Sequence, residues 1–329
     1  MKILVTGVTG RIGANLAAAL RRDGHEVRGL VWGRDPRVEK LAPLGLELIE
    51  GSLTSAEDTR RACEGVEAVY HLGAAFQGGG PFTTDEYFEI NVRGTFNMLE
   101  AAKAQGPALK HFVFSSTDAV YEKYVRGGMN ELIREDELPR KPKGWYSISK
   151  SVGEELCNGY HRSFKTPVTV VRFPTVLSVD EILLYRQIAL SKLMRAQPDL
   201  APLWQESGGE ERLVLVRDPD GRAYKKHIAD VRDVVHGCVC VLGKERAAGE
   251  TFQLGSPTAF KWDELVPYLS EKTGVPYVDA RSSAIPTYYE YDLSKARDLL
   301  GYRPRYGFRE MVDDAIAWKN GTDIGVLAP

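Results

Sequence analysis

Thr6-Gly7-Val8-Thr9-Gly10-Arg11-Ile12-Gly13 decides the reading of this chain. Three glycines recur at intervals of three, directly after the apolar run 3–5 and at the head of an amphipathic segment, 12–22. A short β-branched run reads as a buried strand, and apolar residues at three- and four-residue spacing read as a helix. The glycines therefore occupy a strand-to-helix turn. Gly7 permits the tight turn, Gly10 lets backbone approach a pyrophosphate, and Gly13 allows close helix–strand packing. Free N–H groups at the helix start, Thr9 to Gly13, and the positive dipole end suit a phosphate. Glycines at this spacing are weak evidence by themselves, and their place between strand and helix sharpens it.

The same alternation runs outward from this turn. Further strands are expected at 27–31, 46–50, 68–72, 111–115 and 168–172, and helices at 55–63, 84–105 and 146–164. Apolar strands alternating with helices predict a parallel sheet covered on both faces, with right-handed crossovers: a doubly wound α/β Rossmann sheet. After Arg172 the rhythm breaks. Prolines, a helical stretch near 182–195, a Gly208-Gly209 turn and an isolated strand at 213–216 follow. These predict a smaller C-terminal α/β substrate domain over the sheet's carboxyl edge. Residues 1–176 and 228–257 are assigned to the dinucleotide domain, and 177–227 and 258–329 to the substrate domain.

Length and charge exclude several classes. At 329 residues the chain exceeds what one core usually serves. A net charge of −2, from 43 basic and 45 acidic residues, argues against a nucleic-acid or anionic-membrane binder. The apolar stretch 234–242 is too short to span a bilayer. Cys63, Cys157, Cys238 and Cys240 form no C-x-x-C and no zinc spacing with the histidines, so buried thiols in a reducing, cytoplasmic setting are expected, with no metal.

The second strand's end reports on the ribose. Val31 stands where an acid would accept from a 2′-hydroxyl, Arg34 lies just beyond, and Arg11 projects from the turn. Two guanidiniums without a carboxylate suit a 2′-phosphate and hence NADP. The alternative is that Asp35 reaches the ribose, which suits NAD.

Tyr146-Ser147-Ile148-Ser149-Lys150 sets a phenol and an ammonium four apart on one helical face. A neighbouring cation lowers a phenol's pKa from its ordinary value near ~10, which would fit it to move a substrate proton while a nicotinamide moves hydride. The pattern recurs at Tyr268/Lys272 and Tyr291/Lys295, read as surface pairs in the irregular C-terminal part. Only Tyr146 follows a sheet strand ending in small hydroxyl residues, Ser115-Ser116-Thr117, at the edge where such sheets bind ligands. Thr117 or Ser116 is the candidate partner for the substrate oxygen. His227 reads as a packing residue of the junction. Arg222, Lys225 and Lys226 either meet an anionic substrate or, as is commoner, form a solvated face.

Together TGVTGRIG at 6–13, HLGAA at 71–75, NVRGTFNMLEAA at 91–102, FSSTDAVY at 114–121, YSISK at 146–150, HIADVRDV at 227–234 and YDLSKARDLLGYRP at 291–304 resemble the extended short-chain dehydrogenase/reductases, in their NAD-dependent epimerase/dehydratase branch. The resemblance implies Tyr146 as acid/base, Lys150 on the nicotinamide ribose, and Thr117, with Ser116 nearby, orienting substrate. It places Ser52, Leu53, Leu72, Gly73, Ala74, Ala75, Asn91 and Phe173 along the cofactor and Phe76 beside the substrate. It implies a homodimer through two long helices, 84–105 and 146–164. The departures are as telling. Ala119 stands where dehydratases carry a glutamate, so dehydration is disfavoured. No asparagine occurs between Asn158 and Asn320, Ala223 stands where an arginine is expected, and Ser52 where an acid is. The expected activity is hydride transfer between a nicotinamide and a secondary alcohol or ketone of a sugar, sugar acid or similar polyol. The alternatives are a nucleotide-sugar 4-epimerase that retains its cofactor and a non-catalytic dinucleotide sensor. Arg34→Ala should weaken NADP binding far more than NAD binding in equilibrium titrations; equal losses would remove the case for NADP.

Overall fold

A computed structural model describes residues 1–33, 35–76 and 82–329. Its centre is a seven-stranded sheet. Strands β1 (Lys2–Thr6), β2 (Glu26–Val31), β3 (Glu47–Glu50), β4 (Ala68–His71), β5 (His111–Thr117) and β6 (Val168–Phe173) are joined by a seventh, Thr251–Gln253. The order across the sheet is Thr251–Gln253, β6, β5, β4, β1, β2, β3, with every pairing parallel. Order reverses beside β1, which pairs with β2 on one side and β4 on the other. The glycine turn leaves β1 at this switch point, where open α/β sheets bind ligands.

The inner strands are largely apolar and buried on both faces, whereas β3 at the sheet's edge exposes Glu47, Leu48 and Glu50. One face packs α1 (Arg11–Arg22) and the helix Val231–Val241. The other packs α2 (Ala56–Cys63) and the helices Gly94–Lys103 and Trp145–Phe164. Thr84–Glu86, Tyr87–Arg93 and Gly94–Lys103 run on as one helix with a π-type middle. A separate apolar cluster joins the strand Leu213–Arg217 to the helices Trp262–Thr273 and Phe308–Lys319. Leu213–Arg217 pairs with Tyr277–Arg281 away from the central sheet.

The helix expected over 182–195 shrinks to Leu190–Leu193. Ile182, Leu183, Tyr185 and Ile188 are buried by turns instead, and Ala189 bridges to Leu213. Their apolar spacing mimicked a helix, but burial by packing outweighs that periodicity. Thr251–Gln253, three residues long, carried too little pattern to be read as a strand.

A buried ion pair locks this arrangement. Arg172 of β6 donates through Nε to Glu154 Oε1 (2.8 Å) and through Nη2 to Oε2 (2.8 Å). Its Nη1 reaches the Tyr121 hydroxyl (2.6 Å) and the Glu135 carbonyl (2.9 Å). Ser116 Oγ and Arg140 Nη1 complete the Glu154 carboxylate, at 2.5 and 3.1 Å. Burial alone would raise the Glu154 carboxyl's pKa, but these donors hold it below the ordinary value. Removing one member strands the other charge. Glu154→Ala should cost about 3–5 kcal/mol in denaturant unfolding, whereas Glu122→Ala, which breaks an exposed pair with Lys141, should cost no more than about 1 kcal/mol.

Candidate active site

The glycine turn has the form a dinucleotide requires. Gly7 lies at φ +66°, and a Cβ there would meet Gly73 N at 2.8 Å. A Cβ on Gly13 would meet Gly7 O at 2.1 Å, so helix and strand touch through backbone. Gly10 is different: a Cβ would find only Gly7 O, at 3.2 Å. Helix α1 starts without a side-chain cap and without an acid in its first turn, so Arg11, Ile12 and Gly13 present uncompensated N–H groups. Leu72, Gly73, Ala74 and Ala75 leave β4 alongside, with Gly73 N donating to Thr6 Oγ1 (3.0 Å). Leu53 packs against Gly73 and Gly94, and Ser52 Oγ bonds Thr54 Oγ1 (2.9 Å). These residues fit a dinucleotide.

The expected pair of guanidiniums at the ribose is not what the structure describes. Arg11 Nη1 donates to Val176 O (3.0 Å), and its Nη2 pairs with Glu181. That side chain is held by the segment after β6. Arg34 lies outside the described residues. Thr9 Oγ1 instead donates to Asp35 Oδ2 (2.5 Å), and Arg37 also binds this carboxylate. The Arg37 hydrogen bonds hold the Asp35 carboxyl well below the ordinary carboxylate range.

Tyr146 and Lys150 stand on one face of the helix Trp145–Phe164. Phe76 meets the Tyr146 ring edge-on at 5.5 Å. Burial, then the Asp118 charge, push the Tyr146 phenol up, and the neighbouring Thr117 hydroxyl pulls it down. The expected lowering by Lys150 is therefore not what governs this phenol here. Lys150 Nζ turns to Ser115 O (2.8 Å), and burial lowers its ammonium to about 8.

Two expected ligand contacts are redirected. Ser116 points across the strand to Glu154, because successive strand residues face opposite sides. Asn91 is committed internally: Oδ1 accepts from Ala75 N (2.7 Å), and Nδ2 donates to Ala75 O (3.0 Å) and Ser149 Oγ (2.9 Å). It clamps the β4 exit to the helix bearing Tyr146. Phe173 ends β6 and packs in the core.

Sequence reasoning missed the polar cluster beside Thr117. Asp118 accepts from Tyr291 OH (2.5 Å) and pairs with Lys123 Nζ (2.8 Å). Tyr291, read as a surface residue, is 4% exposed because it donates into this cluster. Tyr268 and Lys272 do form a surface group, with Asp313. Among the described residues no cluster suits a metal ion, and no helix is long and apolar enough to cross a membrane.

Gly13→Ala should destabilise the fold by about 1–3 kcal/mol or more, since the obstructing atom is backbone. Gly10→Ala should keep native stability but weaken dinucleotide binding about tenfold or more. Unchanged affinity in a fluorescence titration of Gly10→Ala would argue against binding at this turn.

Comparison with known proteins agrees with this geometry. The model of the NAD dependent epimerase/dehydratase family matches residues 3–255. An uncharacterized UDP-glucose epimerase of Bacillus subtilis is 28% identical over 97% of this chain and 98% of its own length. The UDP-glucose 4-epimerase of Corynebacterium glutamicum is 27% identical over 97% of this chain and 95% of its own. A short-chain dehydrogenase/reductase superfamily protein from Agrobacterium tumefaciens, solved with bound NAD, is 31% identical with a TM-score of 0.84, covering 98% of both chains. With the glycine turn, the sheet order and the Tyr146/Lys150 helix in place, the chain belongs to the NAD dependent epimerase/dehydratase family of extended short-chain dehydrogenases/reductases.

Proposed function

We propose that this enzyme transfers hydride between a nicotinamide dinucleotide and a secondary alcohol or ketone of a sugar, sugar acid or similar polyol. The observation that carries the reading is Tyr146, beside Thr117 at the carboxyl end of β5 and one helical turn from Lys150. The bound dinucleotide supplies or accepts the hydride. Tyr146 gives its phenolic proton to a ketone oxygen in one direction and takes the alcohol's proton in the other. Thr117 Oγ1, which accepts from Ala119 N (3.2 Å), orients the same substrate oxygen. Lys150 Nζ donates to Ser115 O (2.8 Å) and Ser115 Oγ (3.5 Å) and keeps one N–H for the nicotinamide ribose or Tyr146. Ala119 provides no carboxylate for elimination.

Lys40, whose pKa is lowered by burial and then by Arg37, supports NADP near the end of β2, while Arg37 itself is engaged by Asp35. NAD is the second reading, favoured by Asp35 at the turn and by the NAD in the Agrobacterium protein. The epimerase reading is favoured by the full-length relatives among UDP-glucose epimerases. The two cores support a dinucleotide domain of 1–176 and 228–257 and a substrate domain of 177–227 and 258–329, except that Ala296, Leu300 and Tyr302 pack in the core of the dinucleotide domain. Phe88 and Phe96 on one long helix, and Trp145, Val152 and Phe164 on the other, are exposed. Such an apolar face supports a homodimer built on both helices. Free thiols at Cys63, Cys157, Cys238 and Cys240 accord with a reducing, cytoplasmic setting.

Tyr146→Phe should lower hydride transfer by about 10²- to 10⁴-fold, with dinucleotide affinity retained. Nicotinamide absorbance during turnover separates the outcomes: net change with a sugar substrate supports a dehydrogenase, and isomerisation without it supports an epimerase. Full activity in Tyr146→Phe would overturn the assignment.

A further inference from the structure

Arg11 ties the glycine turn to a distant stretch of chain. It follows Gly10 at the head of α1, and its side chain reaches the strand Thr175–Leu177 and the turn beyond it. Nη1 donates to Val176 O (3.0 Å), and Nη2 pairs with Glu181 Oε1. The second Glu181 oxygen accepts from Ser178 N (2.8 Å), and Glu181 N donates to Ser178 O (3.0 Å). Residues 178–181 therefore form a closed turn whose one carboxylate is shared between the turn itself and Arg11. Within it Val179 has φ +42°, a conformation that a β-branched residue rarely adopts. Such a conformation persists only where its surroundings over-determine it.

This turn is where the chain passes from one apolar core to the other. Val176 packs in the core of the central sheet, whereas Leu177, Ile182, Leu183, Tyr185 and Ile188 pack with the strand Leu213–Arg217 and the helix Trp262–Thr273. Thr175–Leu177 pairs with Ile228–Asp230, on which the chain returns. One guanidinium thus fastens the crossing between the cores to the start of α1.

The junction is polar and not fully paired. Arg11 Nε and Ser178 Oγ are buried and have no hydrogen-bond partner among the described residues. Buried polar groups are nearly always paired, so each such atom calls for an explanation. For Nε the covalent structure supplies one. It lies close to the backbone N–H of the same residue, which is among those that the start of α1 offers to an anion.

We propose that Arg11 is a positioning residue that couples the dinucleotide to the substrate-side core: Nε takes a phosphate oxygen while the Nη groups hold Val176 and Glu181. A dinucleotide on the glycine turn then fixes the turn 178–181 and with it the entry into the second core. The proposal needs a dinucleotide at the glycine turn but not the hydride-transfer reading. Coupling of this kind is reciprocal, so loosening the turn must weaken dinucleotide binding.

Hydrogen exchange read by mass spectrometry, with and without saturating NAD or NADP, tests this. In the natural protein the dinucleotide should slow exchange across 178–188 about fivefold or more. Glu181→Gln removes the ion pair without touching the glycine turn. It should abolish that slowing and weaken dinucleotide binding about 5- to 100-fold in equilibrium titrations, while exchange across 7–13 still slows. Arg11→Met should do the same and, lacking Nε, bind more weakly still. Exchange across 178–188 that ignores the dinucleotide in the natural protein would overturn the proposal, as would slowing that survives Glu181→Gln. A purely structural Glu181 would raise exchange in both states and leave affinity unchanged, which would also sink it. So would tighter binding in Glu181→Gln, the mark of a carboxylate competing with phosphate for the guanidinium, or a natural protein that binds neither dinucleotide. Failure of the hydride-transfer reading would appear instead as absent turnover in a protein whose exchange still responds.

Discussion

The bidentate contact between Arg172 and Glu154 is the constraint on which the rest of the site depends. It ties β6 to the helix that carries Tyr146 and Lys150, and through Ser116 it ties that helix to β5. The Tyr121 hydroxyl and Glu135 carbonyl extend it into the segment after β5. Four stretches of chain thus meet at one pair of buried charges. A buried ion pair adds little net stability over an apolar contact of the same shape, but it tolerates only one geometry. That suits a site in which a phenol and a strand-end hydroxyl must converge on one oxygen. Ser116 shows the division of labour: Thr117 faces the ligand edge, and its neighbour braces the helix.

The sheet and the glycine turn were legible because their determinants are local. Gly7, Gly10 and Gly13 lie within one turn, and each answers a backbone requirement of a single strand–helix junction. Apolar alternation likewise located six of the seven strands. The polar cluster was not legible. Asp118, Lys123, Tyr185, Lys226, Tyr289 and Tyr291 come from four separated stretches, and nothing in the spacing of any one points at another. Lys226, adjoining Lys225, reads as part of a solvated basic run, yet strand alternation turns Lys225 to Glu290 and Lys226 inward to Tyr185 and Gln187. Tyr291 was misread for the same reason. Arg11 and Ser116 were assigned by position, while the partners that redirect them, Glu181 and Glu154, lie far along the chain.

A near-neutral total charge conceals buried charges such as Asp118, Lys123 and Lys226. The Coulomb energy of a charge depends on its surroundings far more than on the sum over the chain. Exposed pairs such as Glu57–Arg60 are strongly screened by water and salt. The Lys226 ammonium is shielded from both, and its charge helps to hold the Asp118 carboxyl below the ordinary value. One buried charge therefore outweighs many on the surface in setting the ionisation of its neighbours.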